Sequence, residues 1–306
     1  NETMTLKNLD NFSKNLKGKL RFNYSLKNHT WLNIGGDAKI FFVPETLKEL
    51  RDFLFYVKNE NNNFFIIGAG SNLLISENIQ NRIFIKLGKN FNKVSITKDD
   101  VIIAGCSILD KNISDFACKN HLSGLEFLSC IPGTVGGGIR MNSGCFGTEF
   151  KDVLLSVQVM DFNGSVYTID AKDINFDYRQ INLSKNLIFL SASFKTIKKN
   201  RIEIEERIHS LKEKKESSQP LKVKTGGSTF KNPKNQSEKK VWELIKENVD
   251  GKVSFGDAKI SDKHSNFFIN SKNASFENMY SLINFVKSQV KAKTGITLEL
   301  ELEIVK

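Results

Sequence analysis

The stretch Phe64-Phe65-Ile66-Ile67-Gly68-Ala69-Gly70-Ser71-Asn72-Leu73-Leu74 runs four apolar residues straight into a glycine-rich turn and out into a second apolar pair. The first run is strand-sized, and a turn of this composition lets backbone N–H groups converge without Cβ obstruction. Small hydroxyl and amide groups beside the glycines add donors, which suits phosphate oxygens. Two further segments share this character. Asn33-Ile34-Gly35-Gly36 leads into Ile40-Phe41-Phe42-Val43, and Ile131-Pro132-Gly133-Thr134-Val135-Gly136-Gly137-Gly138-Ile139-Arg140-Met141-Asn142-Ser143-Gly144 spans fourteen residues. None of the three is a G-x-G-x-x-G opening a helix or a P-loop with G-K-[ST]. One such segment reads as a tight turn; three in the first half point to a nucleotide-bearing cofactor.

Around these turns, strands and helices alternate. Leu47, Leu50, Phe53, Leu54 and Val57 recur at helical spacing and predict a helix over residues 46–59. Ile83-Phe84-Ile85 and residues 101–104 read as strands, and residues 107–120 as a helix. Residues 153–159 and 165–169 flank Asp161-Phe162-Asn163-Gly164, whose Asn-Gly pair signals a hairpin. Residues 201–216 form a charged helix with Ile204, Ile208 and Leu211 on one face, and the lysine-rich stretch 212–224 marks a boundary. Met279, Leu282, Ile283, Val286 and Val290 predict another helix, ended by Gly295. Strict alternation from Ile296 to Ile304 then predicts one half-buried strand, with Glu299, Glu301 and Glu303 on its polar face. The layout is α+β.

Composition bounds the function. The chain has 306 residues, 24 of them Phe and only 4 Pro, so a Pro-rich disordered tail is excluded. No apolar run reaches the ~18–20 residues of a membrane helix, and the polar first residues lack the apolar core of a signal peptide; a cytoplasmic location is expected. Cys106, Cys118, Cys130 and Cys145 form no C-x-x-C pair, and the histidines form no H-x₃₋₅-H, so no metal site is expected. Forty-five Lys and Arg against thirty-four Asp and Glu give +11. That surplus admits nucleic acid, an anionic surface or phosphorylated small molecules, but it is scattered, with no basic block or recognition motif, which argues against nucleic acid.

Three further segments carry candidate chemistry. Phe176-Asp177-Tyr178-Arg179 presents a guanidinium, the natural fork for a substrate carboxylate. Thr225-Gly226-Gly227-Ser228-Thr229-Phe230-Lys231-Asn232-Pro233 sets two glycines beside hydroxyls, a lysine and an amide, suited to a phosphate or a reacting carbonyl. The terminal glutamates are either a solvated edge or include one that works in a cleft.

Together, N-I-G-G, G-x-G-S-N-L-L, G-L-E-F-L-x-x-I-P-G-T-V-G-G, R-M-N-x-G, F-x-Y-R, G-S-x-F-K-N-P, K-H-x-N-F-x-x-N and a final L-E-x-E resemble the UDP-N-acetylenolpyruvoylglucosamine reductase family, in family order from about Thr30 to Glu303. The resemblance implies a two-lobed FAD-binding region of the vanillyl-alcohol-oxidase/PCMH-like type (residues 1–90 and 91–200) and a C-terminal α+β substrate-binding domain (201–306). It implies an enzyme of peptidoglycan precursor synthesis, in which NADPH reduces FAD and reduced FAD reduces the enolpyruvyl group of a UDP-sugar; a monomer is expected. Only seven residues separate Arg179 from the strand expected at 187–193, with no tyrosine among them, so the chain resembles the family's second type.

By residue, the resemblance assigns catalysis to Arg179, Ser228 and Glu301. Counting from Gly295-Ile296-Thr297-Leu298 selects Glu301 over Glu303. FAD contacts fall on Asn33, Gly35, Gly36, Gly68, Ala69, Gly70, Ser71, Asn72, Pro132, Gly133, Thr134, Gly136 and Gly137, and the substrate diphosphate on Lys231 and Asn232. Cys130 stands where the family has glycine before I-P-G. An oxidase of the same FAD superfamily is the competing reading, disfavoured by G-S-x-F-K-N-P and L-E-x-E.

Overall fold

The computed structural model describes residues 6–306; the opening residues read above as lacking a signal peptide lie largely outside it. Contacts divide the chain into two units. The first holds residues 6–23, 39–69 and 81–212 of the described chain, and the second holds 24–38, 70–80 and 213–306.

The first unit is built on two sheets. Strands Asp37–Val43, Ile83–Ile85 and Phe64–Ile66 run parallel, and Lys19–Ser25 joins at the edge. Helix α1 (Leu6–Ser13) precedes this sheet, and α2 (Leu47–Tyr56) covers it with Leu50, Phe53 and Leu54. Thr46 caps α2 by accepting from the Glu49 N–H, and the helix gives way to a 3₁₀ stretch at Lys58–Asn63, so it is shorter than its periodicity predicts. The second sheet is antiparallel, in the order Val166–Asp170, Leu154–Asp161, Leu187–Phe194, Ile102–Gly105, Val94–Ile96. The expected hairpin is its first pair, with Gly164 at φ +85°. Helices α3 (Asp110–Lys119) and α4 (Val135–Arg140) contribute to the core on this sheet.

Helix α3 starts three residues later than predicted. Ser107 is drawn away, its hydroxyl donating to Gly88 O, and Leu109 is extended and bridged to Thr134. Helix α5 (Arg201–Ser218) buries the expected face of Ile204, Ile208 and Leu211.

In the second unit, strands Thr225–Ser228, Phe267–Asn270, Ala258–Ile260 and Ser254–Phe255 form an antiparallel sheet in that order. Helices α6 (Val241–Asn248) and α7 (Phe276–Thr294) share its core. Helix α7 matches its periodicity: Met279, Leu282, Ile283, Val286 and Val290 are all buried. A capping box between Ser275 and Asn278 starts it, and Gly295 at φ +77° stops it.

The terminal strand is the clear correction. Regular pairing there is confined to Glu303–Val305, which runs parallel to Leu73–Ile75, preceded by a lone antiparallel bridge from Leu300 to Phe230. Between the two, the N–H groups of Glu301 and Leu302 both donate to Thr229 O, at 2.9 and 3.2 Å. Two residues opposite one is a bulge, and it shifts the inward phase. Leu298 and Leu302 are buried at an even spacing, but the next buried residue is Val305, three places on, so the strict alternation is lost after Leu302 and Glu303 does not continue it.

Of the described buried acids in the first unit, Asp110 is the one with no exposed surface. It opens α3, neither carboxyl oxygen has a hydrogen-bond partner, and Ser114 Oγ one turn on has none either. Burial pushes the Asp110 carboxyl well above the ordinary carboxylate range. The unfolded chain therefore releases this proton near pH 4 while the folded chain retains it, and folding stability falls as pH rises above that point. Asp110→Asn removes that loss. Its stability advantage over the parent should grow by up to ~1.4 kcal/mol per pH unit until the raised value is reached, as denaturant melts at pH 5, 6.5 and 8 would measure.

Candidate active site

Gly68 and the segment 131–144 meet within the first unit. A Cβ on Gly68 would lie 2.6 Å from Thr134 Oγ1, so only glycine admits this approach. Thr134 caps α4, accepting from Gly137 N–H at 3.3 Å. Residues 133–136 lie along the chain before α3: Asp110 N–H donates to Gly133 O, Val135 N–H to Ile108 O and Gly136 N–H to Cys106 O, at 2.9–3.0 Å. The Thr134 hydroxyl accepts from Gly137 N–H and keeps its own hydrogen to donate, the kind of group that suits a phosphate oxygen. Cys130 ends the 3₁₀ stretch Glu126–Cys130 with no positive φ, so the backbone accepts a side chain where the family has glycine.

Arg179 sits at the tip of a small hairpin in the same unit. Strands Phe176–Asp177 and Gln180–Ile181 pair, leaving Tyr178 and Arg179 as a two-residue turn with Arg179 at φ +53°. A non-glycine residue in that region costs roughly 1–2 kcal/mol, so tertiary contacts must hold it. Arg179 Nη1 donates to Asn142 O at 3.4 Å and Nη2 to Gly144 O at 3.3 Å, and Nη1 lies 3.8 Å from Glu149 Oε1. The guanidinium is also 5.1 Å from the Tyr178 ring centroid.

The second unit brings Ser228 and Glu301 onto neighbouring backbone. Ser228 ends the strand Thr225–Ser228, facing Phe267, and the register slips between Thr225 and Ser228. Gly227 produces that slip at φ +77°, where a side chain would be strained. The next residue, Thr229, is the double acceptor for Glu301 and Leu302. Asn72 locks the arrangement: its amide donates to Glu301 O at 3.0 Å, and its carbonyl accepts from Glu303 N–H at 3.0 Å.

Of the other expected site residues, Asn33 adopts φ +56°, and its amide donates to Lys27 O and to Asn28 Oδ1. Gly36 N–H donates to Ser76 O, and a Cβ there would lie 2.2 Å from Glu77 O. Gly70 accepts from Trp31 N–H. Lys231 N–H donates to Glu299 O, and Asn232 Oδ1 accepts from Val241 N–H at the start of α6. Asn33, Gly35, Gly36, Gly70, Ser71 and Asn72 belong to the second unit, whereas Gly68, Ala69 and residues 132–137 belong to the first.

Motif reading named Asn142 and Asn266 without assigning them work. Buried Asn266 grips the segment after Ser228 at both backbone atoms: Phe230 N–H donates to its Oδ1 at 3.1 Å, and its Nδ2 donates to Phe230 O at 2.9 Å. Its own N–H donates to His264 Nδ1, and burial pushes that imidazole below its ordinary range. Their only sequence signal is their place in R-M-N-x-G and K-H-x-N-F-x-x-N, which does not reveal the backbone each one grips.

A sequence model described as UDP-N-acetylenolpyruvoylglucosamine reductase, C-terminal domain, matches residues 219–305, and one described as FAD binding domain matches residues 38–170. The chain is 54% identical over 304 residues to the UDP-N-acetylenolpyruvoylglucosamine reductase of Pelagibacter ubique (strain HTCC1062), covering 99% of this chain and 100% of the relative. It is 41% identical over 289 residues to that of Rickettsia bellii (strain RML369-C), covering 94% of each. The crystal structure of the Thermus caldophilus reductase (MurB) superposes with a TM-score of 0.80 at 29% identity, covering 95% of this chain and 100% of that one. The expected α+β class stands, and no helix among the described residues is long and apolar enough to cross a membrane.

The approach of Gly68 to Thr134 is testable by a double-mutant cycle. Gly68→Ala should destabilise by about 1–3 kcal/mol. In a Thr134→Ala background it should cost ~1 kcal/mol less, because the clashing hydroxyl is gone; denaturant melts of the four proteins measure this. With its motifs joined in this way and its relatives aligned end to end, the chain belongs to the UDP-N-acetylenolpyruvoylglucosamine reductase family, a family of FAD-containing oxidoreductases.

Proposed function

We propose that the chain reduces the enolpyruvyl group of UDP-N-acetylglucosamine enolpyruvate to the lactyl ether of UDP-N-acetylmuramate, with NADPH as the electron source. The observation that carries this reading is the shared backbone of Ser228 and Glu301, joined through Thr229 and locked by Asn72. A hydroxyl and a carboxyl on adjoining rigid segments are the two groups needed to protonate a carbon and steady the charge beside it.

Bound FAD supplies a hydride route from NADPH to the methylene carbon of the substrate. Charge then develops on the neighbouring carbon and its carboxylate. Arg179 offsets that charge with its guanidinium, and Glu301 hydrogen-bonds to it as an acid. Ser228 gives its hydroxyl proton to the carbon. A serine is a weak acid at neutral pH, but a carbanion is basic enough to take its proton when the two are aligned. Lys231 and Asn232 hold the substrate diphosphate, and the Val241 N–H orients the Asn232 side chain for this.

FAD is held by Asn33, Gly35 and Gly36, by residues 68–72, and by Pro132, Gly133, Thr134, Gly136 and Gly137. We read residues 1–90 and 91–200 as the two FAD lobes and 201–306 as the substrate domain. The protein is read as a cytoplasmic monomer acting on small molecules rather than nucleic acid.

Purified protein should be yellow, bleach with NADPH under anaerobic conditions and recolour on adding the enolpyruvyl substrate. A folded, colourless preparation that takes up no FAD would overturn the reading. Ser228→Ala should keep flavin bleaching by NADPH within about twofold while slowing recolouring at least 100-fold, consistent with the size of a general-acid contribution. Equal loss of both half-reactions in stopped-flow traces would remove Ser228 from the proton-donor role.

A further inference from the structure

Asn142 makes three side-chain hydrogen bonds, all within the first unit. Its Nδ2 donates to Glu149 Oε2 at 3.1 Å and to Asp177 O at 2.9 Å, while its Oδ1 accepts from Lys151 N–H at 3.0 Å. The residue has no exposed surface and adopts φ +42°, a left-handed conformation that asparagine tolerates better than most side chains. Fully buried, it acts through its neighbours.

Those neighbours converge on one group. Asp177 is the strand residue before the Tyr178-Arg179 turn, so the bond from Asn142 to its carbonyl anchors the stem of the Arg179 hairpin. Glu149, held by the other amide hydrogen, turns its second oxygen to within 3.8 Å of Arg179 Nη1. The Asn142 carbonyl itself accepts from Nη1, and Gly144 O accepts from Nη2. Asn142 therefore touches the arginine directly through its backbone, through the hairpin stem, and through the carboxylate. Glu149 is further fixed by the chain around it: its N–H donates to Asp152 Oδ2, and Lys151 Nζ lies 3.7 Å from its Oε2.

We propose that Asn142 and Glu149 are positioning residues for the reductase reaction, setting the orientation of the Arg179 guanidinium toward the substrate carboxylate. Displacing such a charge by about 1 Å costs on the order of 10²-fold in rate, whereas the charge on the substrate carboxylate that Arg179 offsets does not develop while NADPH reduces the flavin. The effect belongs to the second half-reaction alone. This inference rests on the reading of Arg179 as the group that offsets substrate charge.

The test measures the two half-reactions separately on holoenzyme by anaerobic stopped flow. Asn142→Asp keeps size and shape but turns the amide donor into an oxygen facing the Asp177 carbonyl and the Glu149 carboxylate. It should slow flavin reoxidation by the enolpyruvyl substrate 10- to 100-fold and leave reduction by NADPH within about twofold. Glu149→Gln, at a partly exposed position, should slow reoxidation several-fold. The double variant Asn142→Asp/Glu149→Gln should recover part of the Asn142→Asp loss, because a glutamine amide can donate back to the new carboxylate. In an Arg179→Ala background, Asn142→Asp should have little further effect on reoxidation.

Should Asn142→Asp fold poorly, Glu149→Gln alone and in the Arg179→Ala background carries the test, with a several-fold loss in the first and little further loss in the second. Wild-type reoxidation in Glu149→Gln without rescue in the double variant would overturn the proposal, as would losses that multiply fully with Arg179→Ala. Unchanged reoxidation in Arg179→Ala alone would instead overturn the role of Arg179, so the two failures are told apart.

Discussion

The carbonyl of Thr229 accepts two successive backbone N–H groups, and the end of the chain is arranged by that one double acceptance. Before it, Leu300 is bridged antiparallel to Phe230; after it, Glu303–Val305 runs parallel to Leu73–Ile75. The extra residue at Glu301 and Leu302 bends the chain where the antiparallel partner gives way to the parallel one. The same carbonyl belongs to the residue after Ser228. Bulge, hydroxyl and carboxyl thus follow from one backbone contact, with Asn72 holding its far side.

Side-chain amides perform the corresponding service elsewhere. Asn266 pairs with Phe230 as a neighbouring strand would, and Asn270 donates to Leu32 O while accepting from Ala274 N–H. Asn142 links three segments. An amide can satisfy a carbonyl and an N–H at once, which irregular backbone inside a core requires, because an unmet buried group costs about 1–3 kcal/mol. The groups assigned to chemistry all lie on such backbone: Arg179 at φ +53°, Ser228 just after Gly227 at φ +77°, and Glu301 at the bulge. Regular strands would have directed these side chains by simple alternation; the irregularities aim them individually.

Much of the fold was legible in the sequence because local physics dominates there. The period of Met279 to Val290 marked α7, and Gly295 marked its end, since both signals reside in the helix itself. The Asn163-Gly164 pair announced its hairpin for the same reason. The glycines were legible as special, but their reason was not. Gly68 makes room for the Thr134 hydroxyl and Gly36 for the Glu77 carbonyl, so part of what resembles a phosphate cradle is demanded by the chain's own neighbours.

The terminal segment divides the two sources of information most sharply. Alternation of Leu298, Leu300, Leu302 and Ile304 determined that this stretch is extended and half-buried, and the motif order determined the family. The sequence by itself also set the residue types available for chemistry: one arginine after Tyr178, one serine after two glycines, and glutamates in alternation. Only the tertiary structure decided which glutamate leaves the alternation, because the bulge at Glu301 exists through the Thr229 carbonyl, some seventy residues away in the chain. Periodicity records what a segment prefers on its own, whereas a bulge, a buried amide or a strained turn is set by partners distant in sequence.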